Sequence, residues 1–440
     1  MTRALYSLLM CLAQPFFRAR LARRGVAEPG YLEAVPERFG HYTQAAQQGA
    51  VWIHTVSLGE ARAATILIKA LREQTPGLRL LLTTGTATGR AECAKLLQAG
   101  DTLVWQPWDT PAAVQRFLAH FQPRVGILME TEVWPNMVAL CKRQELPLVL
   151  ANARLSEKSL KEALRLAWLA RPAYAALAAV YAQTEADAAR LRQLGAPVQG
   201  VFGNLKFDAT PDPDQLEKGR AWRAQLPKPV LLFASSREGE EKALLQLLSE
   251  QKQPEVSTSA SFNATKSGAN GDVALPVQWL IVPRHPQRFD AVAALIADAG
   301  FKVSRRSTWS GTPPAPDAHA IWLGDSLGEM ALYYGLADAA LLGGSFEPLG
   351  GQNLIEAAAC GCPVVMGPHT FNFAEAAEQA QQSGAAVRVA SLGDGMSVAS
   401  RLVIEAGGQK AAGKAAAGFV QQHRGATKRT VQALQSLLRQ

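Results

Sequence analysis

The apolar residues of this chain are concentrated in short uninterrupted runs, with segments of helical periodicity between them. Uninterrupted runs of this length are typical of strands buried on both faces, and strands that alternate with helices form parallel sheets. In the first half, the predicted strands are 51–56, 78–84, 102–106, 125–130, 147–152, 179–184 and 197–203. The pattern therefore predicts a doubly wound parallel sheet.

The same alternation begins again after a segment rich in proline and aspartate at residues 208–215. The predicted strands of this second series are 229–236, 279–285, 319–324, 339–344 and 363–366. A chain of 440 residues is long enough for two domains with separate cores. We therefore expect an α/β protein with two Rossmann-like domains, whose parallel sheets face an interdomain cleft.

Domain boundaries follow from these two series. We assign residues 25–207 to the N-terminal Rossmann-like domain, 208–228 to a linker and 229–440 to the C-terminal Rossmann-like domain. Within the second domain, residues 249–276 are rich in serine, alanine and asparagine and show no periodicity. Such a composition does not bury a core, so we predict a disordered surface insertion without chemistry.

The first 24 residues combine an apolar stretch with a cluster of arginines. The apolar part, 4–17, is 14 residues long, whereas a helix needs roughly 20 residues to span a bilayer. One helical stripe of leucines precedes arginines that could sit among lipid phosphates: Leu5, Leu8, Leu9, Leu12, Arg18, Arg20, Arg23 and Arg24. An ordinary core helix fits the same periodicity, and a signal peptide lacks its small-residue cleavage site. We expect residues 1–24 to form a membrane-anchoring helix on the cytoplasmic face, held by anionic lipids.

Composition narrows the class of protein. A hydrophobic content of 48% and a charged content of 19% fit a globular protein, and the net charge of +8 suits anionic ligands or an anionic membrane surface. No basic recognition module is present, so we expect no nucleic acid as partner. The C-G-C at 360–362 could form half of a metal site, but no second Cys/His pair at zinc-like spacing lies near it. The D-x-D at 212–214 lies in a proline-rich turn. We predict no metal, and a protein of a reducing compartment.

Residues 338–373 contain a strand, a glycine-rich turn, a helix and a second strand. Open α/β sheets bind ligands at the carboxyl end of such a first strand. The glycines of the turn allow backbone amides to approach a ligand; they are Gly343, Gly344, Gly350 and Gly351. Asn353 and Glu356 lie three residues apart on one helix face and could both reach a sugar edge. This segment predicts a site for an activated, phosphate-bearing sugar donor.

Three charged residues follow predicted strands of the first half. Glu60 falls in the first turn of a helix, where it either serves as a catalytic base or only stabilises the helix dipole. The second interpretation is favoured from the sequence, because the dipole lowers the carboxyl pKa. Glu130 and Glu132 leave a strand on the same side, as site residues or as a solvated loop. Lys206 precedes the linker and is either a site cation or a solvated loop lysine.

Two segments of the second half repeat this placement. Residues 284–288 supply Arg284, His285 and Arg288 after a strand, and 325–330 place Gly328 and Glu329 at a helix start. In both segments, contact with a phosphate or nucleotide competes with ordinary helix capping. Their shared position after strands, in both halves of the chain, argues for a site more strongly than any one residue does.

Seven motifs occur in order along the chain: HTVSLGE (54–60), ETEVWPN (130–136), NARLSEKS (152–159), GNLKFD (203–208), PRHPQRF (283–289), GDSLGEM (324–330) and GGSFEPLGGQNLIEAAACGCPVVMGPHTFNF (343–373). Together they resemble the 3-deoxy-D-manno-octulosonic acid (Kdo) transferases of lipopolysaccharide synthesis, which have the GT-B fold. The N-terminal anchor is similar as well, so the resemblance covers nearly the whole chain.

The resemblance implies an inverting glycosyltransferase that needs no metal and no cofactor. Its donor would be CMP-Kdo and its acceptor the lipid A precursor, tetraacyldisaccharide 1,4'-bisphosphate. The place of action would be the cytoplasmic side of the cell inner membrane.

The resemblance also implies roles for particular residues. Glu60 matches the general base that takes the proton from the attacking sugar hydroxyl, and Glu130 and Lys206 match residues that support the transition state. The positions that match CMP-binding segments are Pro283, Arg284, Leu327, Gly328, Glu329, Asn353, Leu354, Ile355 and Glu356.

The chain departs from the family pattern at three places. Arg237 stands where the family usually has histidine, which weakens any inference about a donor contact by that loop. Ala331 replaces a common proline, and the insertion at 249–276 is unusual but avoids every motif. Two alternatives stay open: another GT-B enzyme, such as a different sugar transferase or a nucleotide-sugar epimerase, and a membrane-bound sugar-nucleotide binding protein without activity.

Overall fold

The computed structural model describes residues 2–46, 48–252, 277–405 and 407–438. These residues form an α/β protein with two parallel sheets of seven strands each. The first sheet contains β1 Val51–Thr55, β2 Leu80–Thr84, β3 Thr102–Trp105, β4 Val125–Met129, β5 Leu148–Ala153, β6 Ala179–Ala182 and β7 Val198–Val201. The second contains β8 Val230–Ser236, β9 Gln278–Pro283, β10 Lys302–Arg305, β11 Ala320–Leu323, β12 Ala339–Leu342, β13 Val364–Met366 and β14 Ala386–Arg388. The predicted parallel α/β class is confirmed.

Most of the helices connect consecutive strands, as the alternation predicts, and others precede β1 or follow β14. Those before β7 are α1 Thr2–Leu12, α2 Gln14–Ala27, α3 Leu58–Gln74, α4 Ala87–Ala94, α5 Pro111–Phe121, α6 Pro135–Arg143, α7 Glu157–Arg165, α8 Ala167–Ala175 and α9 Glu185–Gln193. The remaining helices are α10 Pro213–Ala224, α11 Glu240–Lys252, α12 Phe289–Asp298, α13 Met330–Leu336, α14 Leu354–Ala359, α15 Ala374–Gln382, α16 Leu392–Ile404, α17 Gly408–His423 and α18 Ala426–Leu438.

The strand order of both sheets reverses beside the first strand of each series. The first sheet has the order β3-β2-β1-β4-β5-β6-β7, and the second has β10-β11-β9-β8-β12-β13-β14. In the first sheet, β2 and β3 lie on one side of β1, and β4 and the later strands lie on the other side. The reversal point is therefore between β1 and β4, and in the second sheet it is between β8 and β12. In open α/β sheets, ligands bind outside the carboxyl ends of the strands at such a point.

The inner strands of the first sheet, β1, β2, β4, β5 and β6, are buried on both faces, which explains their uninterrupted apolar runs. Trp52 packs with α5 and α6 residues on one face, whereas Ile53 packs with α3 residues on the other. Strands covered on both faces have no polar side to alternate with. The second sheet is built in the same way, with Phe233 packing against α11, α12 and α16.

The chain divides into two compact units, and its last helix returns to the first of them. The second unit spans Ala209–Gln422, whereas the residues from His423 onward belong with those up to Asp208. The backbone N–H groups of Gly425 and Thr427 both donate to the Asp208 carboxylate, at 2.6 Å each. The predicted C-terminal domain, 229–440, included α18, and this part of the prediction is wrong. Periodicity shows that a helix is amphipathic but does not show which core it covers.

The proline-rich segment predicted as a linker is mostly helical. Asp212 caps α10 by accepting a hydrogen bond from the Gln215 N–H at 3.0 Å, and α10 packs against α13 within the second unit. The D-P-D sequence is therefore a helix start. Of the predicted insertion, residues 249–252 belong to α11, and 253–276 lie outside the described residues.

The N-terminal segment forms two helices that pack on the first unit. The Tyr6 hydroxyl donates to Asp109 at 2.9 Å, and the Ser7 hydroxyl donates to the side-chain oxygen of Asn136 at 2.8 Å. The leucines predicted as one stripe lie on the opposite side and are 53–68% exposed. No helix within the described ranges is long and apolar enough to cross a bilayer. The segment is helical but consists of two helices instead of the single one predicted, and its attachment to a membrane stays a prediction.

Candidate functional site

The first unit brings Glu60 and Glu130 to neighbouring strand ends. β1 pairs with β4 in parallel, Glu60 lies in the first turn of the helix after β1, and Glu130 directly follows β4. Both carboxylates thus stand at the carboxyl edge where the strand order reverses. Both are also buried, with exposed fractions of 8% and 2%. Sequence spacing of 70 residues did not reveal this proximity, but the doubly wound topology requires it.

Hydrogen bonds hold the Glu60 carboxylate at the start of α3. The Val56 N–H donates to Oε2 at 2.7 Å, and the Ser57 hydroxyl donates to Oε1 at 3.0 Å. The Ser57 hydroxyl also accepts from the Glu60 N–H at 3.3 Å, as a helix N-cap does. Glu60 therefore takes part in capping α3, and these hydrogen bonds fix the position of its carboxylate.

Burial reverses the expected direction of the Glu60 pKa. Removal from water raises this pKa from 4.5 to about 7, because it disfavours the charged form. The hydrogen bonds from Val56 and Ser57 oppose the rise, and the nearby carboxylates of Glu130 and Glu132 add to it. The lowering expected from the helix dipole is wrong, since desolvation outweighs it. A carboxyl group with this pKa exchanges protons near neutral pH.

Two cations contact the Glu130 carboxylate. Lys206 Nζ donates to Oε1 at 2.9 Å, and Arg154 Nε lies 2.9 Å from Oε2. Glu130 has a φ of 59°, in the left-handed region, so its backbone leaves the direction of β4. The strand ends at Met129. The alternation argument that put Glu130 and Glu132 on the same side therefore does not apply.

Sequence reasoning missed Asn152 and Arg154 as neighbours of this charge cluster. Asn152 is 2% exposed, and its side-chain oxygen accepts from the Leu205 N–H at 3.0 Å, beside Lys206. Its φ is 52°, where β5 and β6 shift register. Both residues belong to the NARLSEKS motif. The feature of the sequence that could have indicated them is the position of two polar side chains at the end of an apolar run.

The second unit places Arg284 at the carboxyl end of β9. Its Nε donates to the side-chain oxygen of Gln352 at 3.1 Å, which links the PRHPQRF and GGQN segments. A methyl group added to Gly344 would lie 3.0 Å from the Gln352 amide nitrogen and 3.6 Å from Arg237 Cγ. The guanidinium of Arg237 has no ion pair or hydrogen bond with a described residue. Gln352 thus links Arg284 to Gly344, and Arg237 lies beside the same glycine. Desolvation and the charges of both arginines lower the pKa of His285.

One buried carboxylate joins the loops after β8 and β12. Glu240 accepts hydrogen bonds from the N–H groups of Arg237 and Gly344 at 2.9 and 2.8 Å. Its exposed fraction is 1%, and burial raises its pKa. Because these donors are backbone groups, Glu240 fixes the geometry of the two loops.

The other predicted donor-site residues differ in what they expose. Asn353 uses its side-chain oxygen to accept from the Ile355 N–H at 3.2 Å, and Glu356 is partly buried. Glu329 accepts from Arg306 and from Ser326 at 2.9 and 2.5 Å. Those with buried side chains are Pro283, Leu354 and Ile355, and those on the open loop after β11 are Leu327 and Gly328.

The cysteines and the acids do not form a metal centre in the part of the chain that the structure describes. There, no group of three or more His, Cys, Asp or Glu side chains lies close enough to hold a metal ion. Cys360 and Cys362 are both buried free thiols. Burial raises the pKa of Cys360 to about 12.

Solved structures of related shape support the GT-B-like architecture. A glycosyltransferase from Rickettsia africae matches 89% of this chain and 99% of its own, with 12% identity and a TM-score of 0.53. A UDP-GlcNAc 2-epimerase from Neisseria meningitidis matches 88% of this chain and 100% of its own, with 14% identity and a TM-score of 0.55. At such low identity, the similarity concerns the fold alone.

Comparison of sequences is more specific. The family model described as 3-deoxy-D-manno-octulosonic-acid transferase (kdotransferase) matches residues 33–209. A 3-deoxy-D-manno-octulosonic acid transferase from Bordetella pertussis is 42% identical, with all of both chains covered. One from Haemophilus influenzae is 33% identical over 85% of this chain and 84% of its own. By this similarity along its whole length, the chain belongs to the 3-deoxy-D-manno-octulosonic acid (Kdo) transferase family.

Proposed function

We propose that this transferase moves Kdo from CMP-Kdo to the lipid A precursor, with inversion at the anomeric carbon and without a metal. The observation that carries the proposal is the buried Glu60 carboxyl, with its pKa of about 7 at the edge of the sheet where the strand order reverses. A general base works best when its pKa lies near the working pH. Glu60 meets this condition and is held in place by two hydrogen bonds.

In the proposed reaction, Glu60 accepts the proton of the acceptor hydroxyl as that oxygen attacks the anomeric carbon of Kdo. The bond from this carbon to the CMP phosphate breaks, and its electron pair leaves with the phosphate oxygen. CMP is a good leaving group, so no general acid is required. Because a single displacement inverts the anomeric carbon, one base is sufficient for the reaction.

The cluster of Glu130, Lys206 and Arg154 supports this assignment. Its two cations and one carboxylate together carry a surplus positive charge. A fixed positive charge in a partly dry site stabilises negative charge that develops on the substrates. Lys206 is the better shielded cation, with 17% of its side chain exposed.

The second unit supports the binding of an anionic donor. Arg237 lies beside Gly344, and Arg284 reaches the same turn through its hydrogen bond to Gln352. We assign the phosphate of CMP-Kdo to these two arginines. Asn353 and Glu356 then remain as candidates for the ribose or the base.

We also propose that α1 lies on the cytoplasmic face of the inner membrane. Its outer side exposes Leu5, Leu8, Leu9 and Leu12, and the exposed arginines of α2 follow directly. An apolar helix face beside arginines is suited to the boundary of an anionic leaflet. Replacement of Leu8 and Leu9 by glutamate should abolish sedimentation with vesicles of anionic lipid. Equal sedimentation of this variant and the wild type would contradict the assignment.

The experiment that tests the function is mass analysis of products from purified enzyme, CMP-Kdo and lipid A precursor. The expected product is heavier than the acceptor by one or more Kdo residues. UDP-sugars offered in parallel serve as the control, because nucleotide-sugar epimerases share the fold. Turnover of a UDP-sugar without any transfer from CMP-Kdo would refute the proposal.

A further inference from the structure

The charge cluster at the end of β4 contains one more cation than its carboxylate requires. Glu130 has a side chain that is only 3% exposed, and Lys206 neutralises it through a direct hydrogen bond. Arg154 contacts the second oxygen of the same carboxylate. Counted together, this carboxylate and its two cations carry a net charge of +1.

Arg154 carries the exposed share of this surplus charge. Its side chain is 47% exposed, against 17% for Lys206. Neither Nη1 nor Nη2 of Arg154 donates a hydrogen bond to any residue in the described ranges. The half of the guanidinium that recognises planar anions is therefore available for a ligand.

The position of Arg154 is fixed although its end is open. Its backbone N–H donates to the Glu130 carbonyl oxygen at 3.2 Å, and its Nε lies 2.9 Å from the Glu130 carboxylate. The Asn152 side chain, two residues earlier, holds the backbone next to Lys206. A guanidinium held in this way loses little conformational entropy when it binds an anion.

The alternative is that Arg154 only neutralises Glu130. That role would be complete without Arg154, since Lys206 already donates to the carboxylate. It also gives no reason for an arginine at the carboxyl edge of the sheet with Nη1 and Nη2 groups that are unpaired among the described residues. Glu60 lies at the same edge, close enough to Glu130 for the Glu130 charge to raise the Glu60 pKa. The surplus charge and the open fork both favour a ligand.

We infer that Arg154 binds an anionic oxygen group of a substrate, either a phosphate of the acceptor or the carboxylate of the donor sugar, and so positions it beside Glu60. This rests on the proposed function, because it assigns a substrate contact within that reaction. It adds a binding residue to those that the motifs implied. Arg154 holds a substrate group, whereas Glu60 takes the proton.

The test compares Arg154→Gln and Arg154→Lys with the wild type. The lysine variant keeps a cation beside Glu130 and removes the planar fork. Arg79→Gln is the matched control, because Arg79 is exposed and directly precedes β2, at the opposite edge of the same sheet. KM for acceptor and for donor, kcat and the melting temperature are measured for each. Calorimetric titration with CMP-Kdo and with the deacylated bisphosphorylated disaccharide gives affinities without turnover.

Loss of one charge-assisted hydrogen bond corresponds to roughly a ten- to hundredfold weaker affinity. A rise of this size in acceptor KM, absent with a dephosphorylated acceptor, assigns the anion to the acceptor phosphate. A rise in donor KM assigns it to the donor carboxylate. Unchanged KM values and affinities, with only a lower melting temperature, would overturn the inference and leave Arg154 as a counterion. Failure of the wild type to transfer Kdo would refute the proposed function, while the titrations would still test Arg154.

Discussion

Replacement of Glu60 by glutamine separates catalysis from stability at a single carboxyl group. Glutamine has nearly the same shape, so it fits the start of α3 and can still accept one of the hydrogen bonds from Val56 and Ser57. It cannot accept a proton from the acceptor. We expect kcat to fall by roughly 100- to 10,000-fold, the usual contribution of a general base, with CMP binding unchanged.

The effect on stability has the opposite sign. In the folded protein the Glu60 pKa is about 7, whereas its ordinary value is 4.5. The folded state therefore favours the protonated carboxyl, and stability is lost as the pH rises through this window. At about 1.4 kcal/mol for each pKa unit, the cost of the ionised carboxylate above pH 7 is on the order of 3 kcal/mol. Glutamine does not ionise and avoids this cost.

The assay is urea unfolding of wild type and Glu60→Gln at about pH 5 and about pH 8, followed by tryptophan fluorescence. At the lower pH the variant lacks one hydrogen bond and should be less stable by about 1 kcal/mol. At the higher pH, the difference should move in favour of the variant by roughly 2–3 kcal/mol. Glu73→Gln, at an exposed position near the end of the same helix, is the control.

Two results would refute this reasoning. An equal stability difference at both pH values would show that burial does not raise the Glu60 pKa. Retention of wild-type turnover by Glu60→Gln would show that the residue is only a helix cap. The wild-type pH profile gives a third check, since kcat/KM should rise with pH through about 7 as the base loses its proton.

Three further predictions concern other parts of the molecule. Lys206→Met should lower the free energy of unfolding by about 1.5–3 kcal/mol, because it removes a hydrogen bond to the buried Glu130 carboxylate; urea unfolding would measure this, and no loss would contradict it. Gly344→Ala should weaken CMP binding about tenfold, as measured by calorimetry. A φ of 69° costs ~1–2 kcal/mol for alanine, and the new methyl group would contact the Gln352 amide. Unchanged affinity would show that this turn does not belong to the donor site. Native protein should show one rapidly reacting thiol, Cys11, since the other four are buried, and all five should react in concentrated urea.

Much of the fold could be predicted from apolar runs alone. Every predicted strand overlaps a strand of the structure, because strands covered on both faces are apolar throughout. Two short edge strands, β10 and β14, were missed, since their residues are partly exposed and less apolar. The return of α18 to the first unit was missed for another reason. Its stripe of Val431 and Leu434 would suit either core, and contacts with α3 decide between them.

The candidate site was only partly visible in the sequence. Motifs at strand ends indicated Glu60, Glu130 and Lys206, and the structure joins the last two in an ion pair. The sequence alone did not indicate Arg154 and Asn152 as site residues, although both belong to the NARLSEKS motif. A side chain's partners depend on which strands become neighbours, and that is set by the strand order.

By itself, the sequence determined the parallel α/β class, the two series of strands and helices, and the similarity to Kdo transferases along the chain. These are properties of local periodicity and of residue identity, which a linear pattern contains. Only the tertiary structure decided the protonation chemistry of Glu60. The helix dipole that lowers its pKa is local and visible in the sequence, whereas the burial that raises it to about 7 exists only in the folded chain. Since these contributions oppose each other, the sign of the shift depends on how deeply the folded chain buries the carboxyl group.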